Sequence, residues 1–145
     1  MTSTFLILLS LCGAVDDVAE AGCASPRDVM RGFVEGQGDA AARCLALPAD
    51  MTRAQGQRAV LELREVADAR GVLFRLDTMP DSPDWSDPRT SEARFVPSPA
   101  LPDLELVKTK AGWAFSPSTL RAAHRLHDQT FVVDLAAWSA QRNTS

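Results

Sequence analysis

Apolar positions recur along the chain with two periods, and the changes of period mark its elements. Val29, Met30, Phe33 and Val34 fall on one stripe at helical spacing. Ser25 stands where an N-cap is needed, Pro26 at the first helical position, and Asp28 three residues after the cap. Gly36-Gln37-Gly38 ends this helix, and Asp39 caps a second, short one over residues 40–47, which Pro48 stops. The pair reads as a helical hairpin, with no second copy at the period of roughly 30–40 residues that a helical repeat requires. Thr52 with Gln55 boxes the start of a third and longest helix, buried through Val60, Leu61, Leu63, Val66 and Ala67 and stopped by Gly71. Gly56 within it costs about 1 kcal/mol of helix propensity.

After Gly71 the period shortens. Residues 72–76 alternate as a strand, Arg94-Phe95-Val96 forms a short one, and residues 104–110 a third. Pro97, Pro99 and Pro102 confine the second of these to an edge or a connection. A turn at Ala111-Gly112 leads into Gly112-Trp113-Ala114-Phe115, where Trp113 and Phe115 share a face. Each ring removes roughly 150–250 Å² from water, an upper bound of about 4–6 kcal/mol. Ser116 caps and Pro117 opens the last helix, which runs on through Leu120, Ala123, Leu126 and Phe131. An apolar tail follows from Val132 to Trp138, and residues 142–145 are polar and fray. The fold class is α+β: an N-terminal helical hairpin, a long helix, a small antiparallel sheet of three to four short strands and a C-terminal helix. Residues 77–93 form a long Asp/Pro/Ser-rich loop around Trp85, which either recognises a partner or, the commoner case, pins its own loop.

The length, 145 residues, suits one domain, and 46% hydrophobic content suffices for a core. The net charge of -4 is mostly N-terminal: residues 1–21 hold Asp16, Asp17 and Glu20 and no Lys or Arg. A nearly neutral remainder without a basic run excludes the electrostatic footprint of a nucleic-acid or anionic-lipid binder. Residues 5–14 are an apolar run too short to span a bilayer, and Ala19-Glu20-Ala21 matches a small-x-small cleavage site. Residues 1–21 therefore read as a signal peptide lacking its usual basic start, ahead of one small domain over residues 22–145. The competing reading is a buried N-terminal helix. Lipid attachment fits poorly, with Leu11 beside Cys12 and Glu20 ahead of Cys23. In an oxidising compartment Cys23 and Cys44 can pair. The other reading, favoured by the lack of further cysteines for a framework, leaves Cys44 as a small core residue and Cys23 free.

Candidate chemistry is sparse. His124 and His127 lie three apart on the last helix beside Asp128, a spacing that can place two imidazoles over one metal. No third His or Cys lies near in sequence, and Arg121 and Arg125 oppose a cation, so the pair reads as a solvated helix face. Asp81, Asp84 and Asp87 are three apart beside Pro80, Pro83 and Pro88 and read as turn residues rather than a calcium loop. No Gly-x-Ser-x-Gly elbow, phosphate loop or dinucleotide fingerprint is present. No catalytic, cofactor-binding or metal residue is assigned and no cofactor is expected.

One combination of segments is more specific. Ser25-Pro26-Arg27-Asp28-Val29-Met30-Arg31-Gly32-Phe33 is followed by Ala42-Arg43-Cys44-Leu45-Ala46-Leu47 and a Gln/Leu-rich helix. Later come Met79-Pro80-Asp81-Ser82-Pro83 and Gly112-Trp113-Ala114-Phe115-Ser116-Pro117-Ser118-Thr119-Leu120. From Ser25 to His127 this order resembles the exported soluble domain that precedes the membrane part of bacterial small-conductance-type mechanosensitive ion channel proteins. The resemblance implies a periplasmic or secreted α+β unit, here stand-alone and without a channel region, that acts non-enzymatically by protein–protein contact. Its expected partner is an envelope membrane protein or a second copy, with no nucleic acid and no transmembrane segment in the mature chain. The Pro-capped helix, Gly-Asp joint and Gly-Trp strand also resemble the cystatin-like and nuclear-transport-factor-like cones. That alternative implies a small-molecule module whose apolar pocket, at least about 300 Å³, is lined by Trp113, Phe115 and the first helix. A hydrolase or metal enzyme using His124 and His127 ranks third.

Overall fold

The computed structural model describes residues 22–36 and 41–142, and only the backbone of residues 132–138. It is an α+β fold. Among the described residues, three α-helices, α1 (Pro26–Glu35), α2 (Arg53–Arg70) and α3 (Pro117–Arg142), accompany a sheet of β1 (Arg94–Phe95), β2 (Leu106–Thr109) and β3 (Gly112–Phe115). The sheet is antiparallel in the order β1-β2-β3. The signal-peptide reading of residues 1–21 and the Gly-x-Gly joint with its Asp39 cap lie outside the described residues.

Each helix starts where its cap is. The Asp28 N–H donates to Ser25 Oγ at 3.2 Å, and Thr52 and Gln55 form both halves of a capping box. Ser116 Oγ accepts from the Thr119 N–H at 3.2 Å to open α3. Gly36 and Gly71 close α1 and α2 in left-handed conformation, with φ of 65° and 67°. The C-terminal carbonyls of α1 gain a second partner: the Arg64 guanidinium donates to Phe33 O at 2.8 Å and Val34 O at 3.2 Å.

The core lies between the helices and one face of the sheet. Trp113, Phe115, Leu106, Val29, Met30, Phe33, Leu63, Val66, Leu101, Leu104 and Leu120 are all buried in it. Trp113 and Phe115 share the inner face, as alternation requires, and Ala114 is buried behind them. Helices α2 and α3 run side by side in the same direction, so that Glu62 meets His124, Glu65 meets His127 and Arg70 meets Thr130. Residues 45–47 press against α2 at Gly56, where an added Cβ would stand 2.5 Å from Leu47 Cδ2 and 3.1 Å from Leu45 Cδ1.

Three expectations change. Residues 72–76 are not a strand: they run extended into a 3₁₀ turn over Leu76–Thr78 and pair with nothing in the sheet. Their alternation is that of burial alone, since Phe74 packs edge-on to Phe33 while Leu73 is 85% exposed. From Ala42 to Leu47 the chain is a turn and an extended run, with Leu45 bridging in parallel to Phe115, in place of the second half of a short helix. Cys23 and Cys44 are joined by a disulfide, Cα to Cα 5.6 Å, and both are buried. Sequence spacing did not favour this pair because the two meet only across the edge of β3.

That edge has a specific construction. The Trp113 N–H donates to Cys23 O at 2.7 Å, the Phe115 N–H to Cys44 O at 2.9 Å, and the Ala46 N–H to Phe115 O at 3.0 Å. Two chain segments, tied by the disulfide, thus take the place of a fourth strand. Among the described residues, none covers the β1 edge in this way.

Candidate functional site

The largest of three surface depressions described here, about 440 Å³, lies beside β1 and is lined by Trp85, Phe95, Val96, Arg89, Arg94 and Glu105 among others. Its back wall is aromatic. Trp85 stands edge-on to Phe95 at 5.4 Å between centroids and 6.2 Å from Trp113. The Trp113 indole N–H donates to Pro83 O at 3.1 Å, which fixes the loop that carries Trp85. Trp85 therefore pins its loop, as the commoner reading has it, and at the same time leaves a half-buried ring on the groove.

The groove's outer rim is a closed turn. The Asp87 N–H donates to Glu92 O at 2.8 Å, the Ser91 N–H to Asp87 O at 2.7 Å and the Arg89 N–H to Asp87 Oδ1 at 2.8 Å. Ser91 adopts φ of 61°, a left-handed conformation that closes the turn. Arg94 bonds Glu105 Oε1 at 2.7 Å and reaches Glu92 at 3.8 Å.

The backbone of β1 completes the site. The Lys108 N–H donates to Ala93 O at 3.2 Å, and Arg94 faces Val107. In an antiparallel pair the residues that bond the neighbour alternate with those that do not. Ala93 and Phe95 therefore turn their N–H and C=O groups to β2, and Arg94 turns both of its own outward, over the groove.

The other sequence candidates are scattered. Asp81 reaches Arg27 at 3.4 Å, Asp84 takes Lys108 Nζ at 3.0 Å, and Asp87 holds the turn above, so the three acids face different partners. His127 Nε2–H donates to Glu65 Oε2 at 2.6 Å, and its ring lies 4.6 Å from that of Phe131. His124 stands 3.4 Å from both Glu62 and Asp128, on opposite ring nitrogens. The two imidazoles thus pair with separate carboxylates of α2 and share no ligand, and His124, 75% exposed, lies on a solvated face. Among the described residues no group of three His, Cys, Asp or Glu is placed to hold a metal ion. Trp113 and Phe115 are filled core positions and line none of the three depressions.

A second, shallower depression of about 330 Å³ between the starts of α2 and α3 carries Asp50, Arg58, Glu62, Arg121 and His124. Its charges are already paired: Arg121 with Asp50 at 3.2 Å and Arg58 with Glu62 at 3.4 Å. The third, about 240 Å³, is an apolar notch between Phe33, Val60 and Leu61 beside the Arg64 cap.

The segments singled out in the sequence meet physically. Arg27 donates to Met79 O at 2.8 Å and pairs with Asp81, and its own N–H bonds Pro80 O at 3.0 Å. Trp113 bonds both Cys23 and Pro83 through backbone and indole. These motifs form the joint between α1, the long loop and β3, and their role there is architectural. The edge position of Arg94-Phe95-Val96 is read from the prolines after it, and the strand order bears it out; the groove beside that edge is not read from the sequence. The signal for the site is Arg94-Phe95-Val96 followed at once by prolines, with Trp85 upstream. No protein-family model matches the chain, and no curated protein or solved structure matches it. No helix of the described residues is long and apolar enough to cross a membrane.

Proposed function

We propose that this chain is an exported, non-enzymatic domain that works by protein–protein contact, similar to the extramembrane domain of mechanosensitive-channel-like proteins. The observation that carries the contact reading is the asymmetry of the sheet. One edge is sealed by two disulfide-tied segments, and the other presents unused backbone groups beside an aromatic groove. Natural proteins usually cover or blunt such an edge. The buried Cys23–Cys44 bond supports the exported part, because disulfides persist chiefly in oxidising compartments.

The alternative, a small-molecule module, draws on the groove volume of about 440 Å³, within the range of ligand pockets. Its proposed walls, Trp113 and Phe115, lie elsewhere, in the packed core.

The full chain, expressed in its native host with a photo-crosslinking residue at Val96 or at Leu73, tests the reading. Recovery from the envelope fraction with Cys23 and Cys44 oxidised, and a discrete crosslink to an envelope protein or to a second copy, is the expected result. A cytosolic protein with both thiols reduced overturns export. A strict monomer with no crosslink from either position overturns contact.

A further inference from the structure

We propose that the Cys23–Cys44 bond is a redox-gated clasp: the chain closes the β3 edge only once both thiols are oxidised, and the reduced chain folds with that edge open. This rests on the export reading above and states what an oxidising compartment does to the fold.

The two segments on the β3 edge are held unequally. Cys23 stands two residues ahead of the α1 cap, and α1 is anchored in its own right. Val29, Met30 and Phe33 are buried in the core. The Arg27 guanidinium donates to Met79 O at 2.8 Å and its backbone N–H to Pro80 O at 3.0 Å, while Arg64 holds Phe33 O and Val34 O. Residues 42–47 have less. Ala42 is buried but small, Arg43 is exposed, and Leu45 and Leu47 are half-buried. The segment meets β3 through the Phe115 N–H on Cys44 O and the Ala46 N–H on Phe115 O. Such bonds contribute little net, because water replaces them when they open. The covalent tie to Cys23 is therefore what keeps this stretch in register.

Release is confined to that stretch. Beyond it the capping box of Thr52 and Gln55 starts α2 afresh. Helices α2 and α3 hold each other through Glu62 with His124, Glu65 with His127 and Arg70 with Thr130, pairs that do not involve residues 42–47. A released segment leaves the N–H and C=O of Phe115 bare on a sheet whose β1 edge is already uncovered. The reduced chain thus has two open sheet edges, the condition that natural proteins avoid.

Closure is a thiol–disulfide exchange with a disulfide-bearing carrier, protein or small molecule. One cysteine thiolate attacks the carrier's disulfide and displaces a thiolate; the other then attacks the mixed disulfide. The chain gives up two electrons and two protons, and the carrier leaves as the dithiol. Once closed, both sulfurs are buried, so a dissolved reductant does not reach them and the clasp works in one direction.

The test refolds the full chain in reductant and compares it with the same chain closed by glutathione disulfide. In the reduced chain the Ala46 and Phe115 amides are expected to exchange within about tenfold of an unfolded peptide, while those of Leu63 and Leu126 stay at least about a thousandfold slower. In the oxidised chain all four are slow. Cys44 of the reduced chain is expected to react with iodoacetamide in native buffer, and the Cys23→Ala, Cys44→Ala double variant to match the reduced chain in exchange. Reduced protein that protects Ala46 and Phe115 as well as Leu63 overturns the proposal, and so does a double variant that keeps them protected. A reduced chain with no protected amide in α2 or α3 also overturns it, because the bond then supports the whole fold instead of gating one edge. Export is read separately, from the oxidation state of the chain recovered from its host. A cytosolic chain with both thiols reduced overturns export and not the clasp, and exchange data that overturn the clasp leave export standing.

Discussion

The carbonyl of Cys23 accepts the N–H of Trp113 at 2.7 Å, one residue pair away from the matching bond between Cys44 and Phe115. The disulfide therefore does more than close a loop. It holds two otherwise separate segments at the spacing of alternate residues on β3, so that the sheet's hydrogen bonds continue past its last strand. The same arrangement seats the start of α1 over the sheet, with Ser25 and Pro26 two and three residues after Cys23.

Removing that bond costs stability through the unfolded chain. For a sequence separation of 21, loop-closure entropy gives about 3 kcal/mol. A Cys23→Ser, Cys44→Ser double variant is expected to lose about 2–5 kcal/mol in urea denaturation. Because both cysteines are buried, reductant alone is expected to leave the folded protein oxidised, and to act only once denaturant opens it. Rapid reduction without denaturant, read by mass after thiol alkylation, contradicts this picture.

Gly36 and Arg64 are coupled. Gly36 sits at φ of 65°, and an added Cβ would overlap the Arg64 guanidinium that caps Phe33 and Val34. Gly36→Ala is expected to cost about 2–3 kcal/mol, from the left-handed backbone and the displaced cap together. Arg64→Met, which keeps the stem and loses the bonds, is expected to cost about 1–2 kcal/mol. The double variant then falls short of the sum, and additive losses in a denaturation cycle count against the coupling.

Much of this fold is legible in the sequence because helix caps are local. Ser25, Thr52 with Gln55, and Ser116 each act on an N–H within three residues, so reading the chain in order finds them. The failures are non-local. Alternation at residues 72–76 reports which side chains are buried, and pairing needs a neighbour that only tertiary structure supplies. The Cys23–Cys44 bond depends on two segments arriving at one sheet edge. The candidate site is legible only in part: Pro97 and Pro99 mark residues 94–96 as an edge or connection, but Arg94 carries no mark of facing outward until Ala93 is seen to bond Lys108.

Gly56 shows the same division between local cost and tertiary need. By propensity alone, Gly56→Ala in α2 stabilises by about 1 kcal/mol. The new methyl would meet Leu47 at 2.5 Å and Leu45 at 3.1 Å, so the segment that bridges to β3 must shift. The expected net effect is a loss of about 1–2 kcal/mol, read as a lower urea midpoint with unchanged slope. A gain would mean that the two leucines swing aside without moving the Leu45 bridge.

Asp50 links the start of α2 to α3 in a pH-dependent way. A hydrogen bond from the Arg121 side chain, at 3.2 Å, is the chief cause that holds its carboxyl below the ordinary value, followed by backbone bonding and the Arg121 charge. A carboxyl whose pKa is lower folded than unfolded stabilises the fold above the unfolded value, and that contribution disappears as pH falls through the folded value. The pair is solvent-exposed, so the effect is small and weakened by salt. At neutral pH and low salt the urea midpoint of the parent protein is expected to exceed that of Asp50→Asn. The gap closes as pH drops below the usual carboxylate value of about 4. A gap that stays constant through that range would show that the loss in Asp50→Asn comes from something other than the ionised pair.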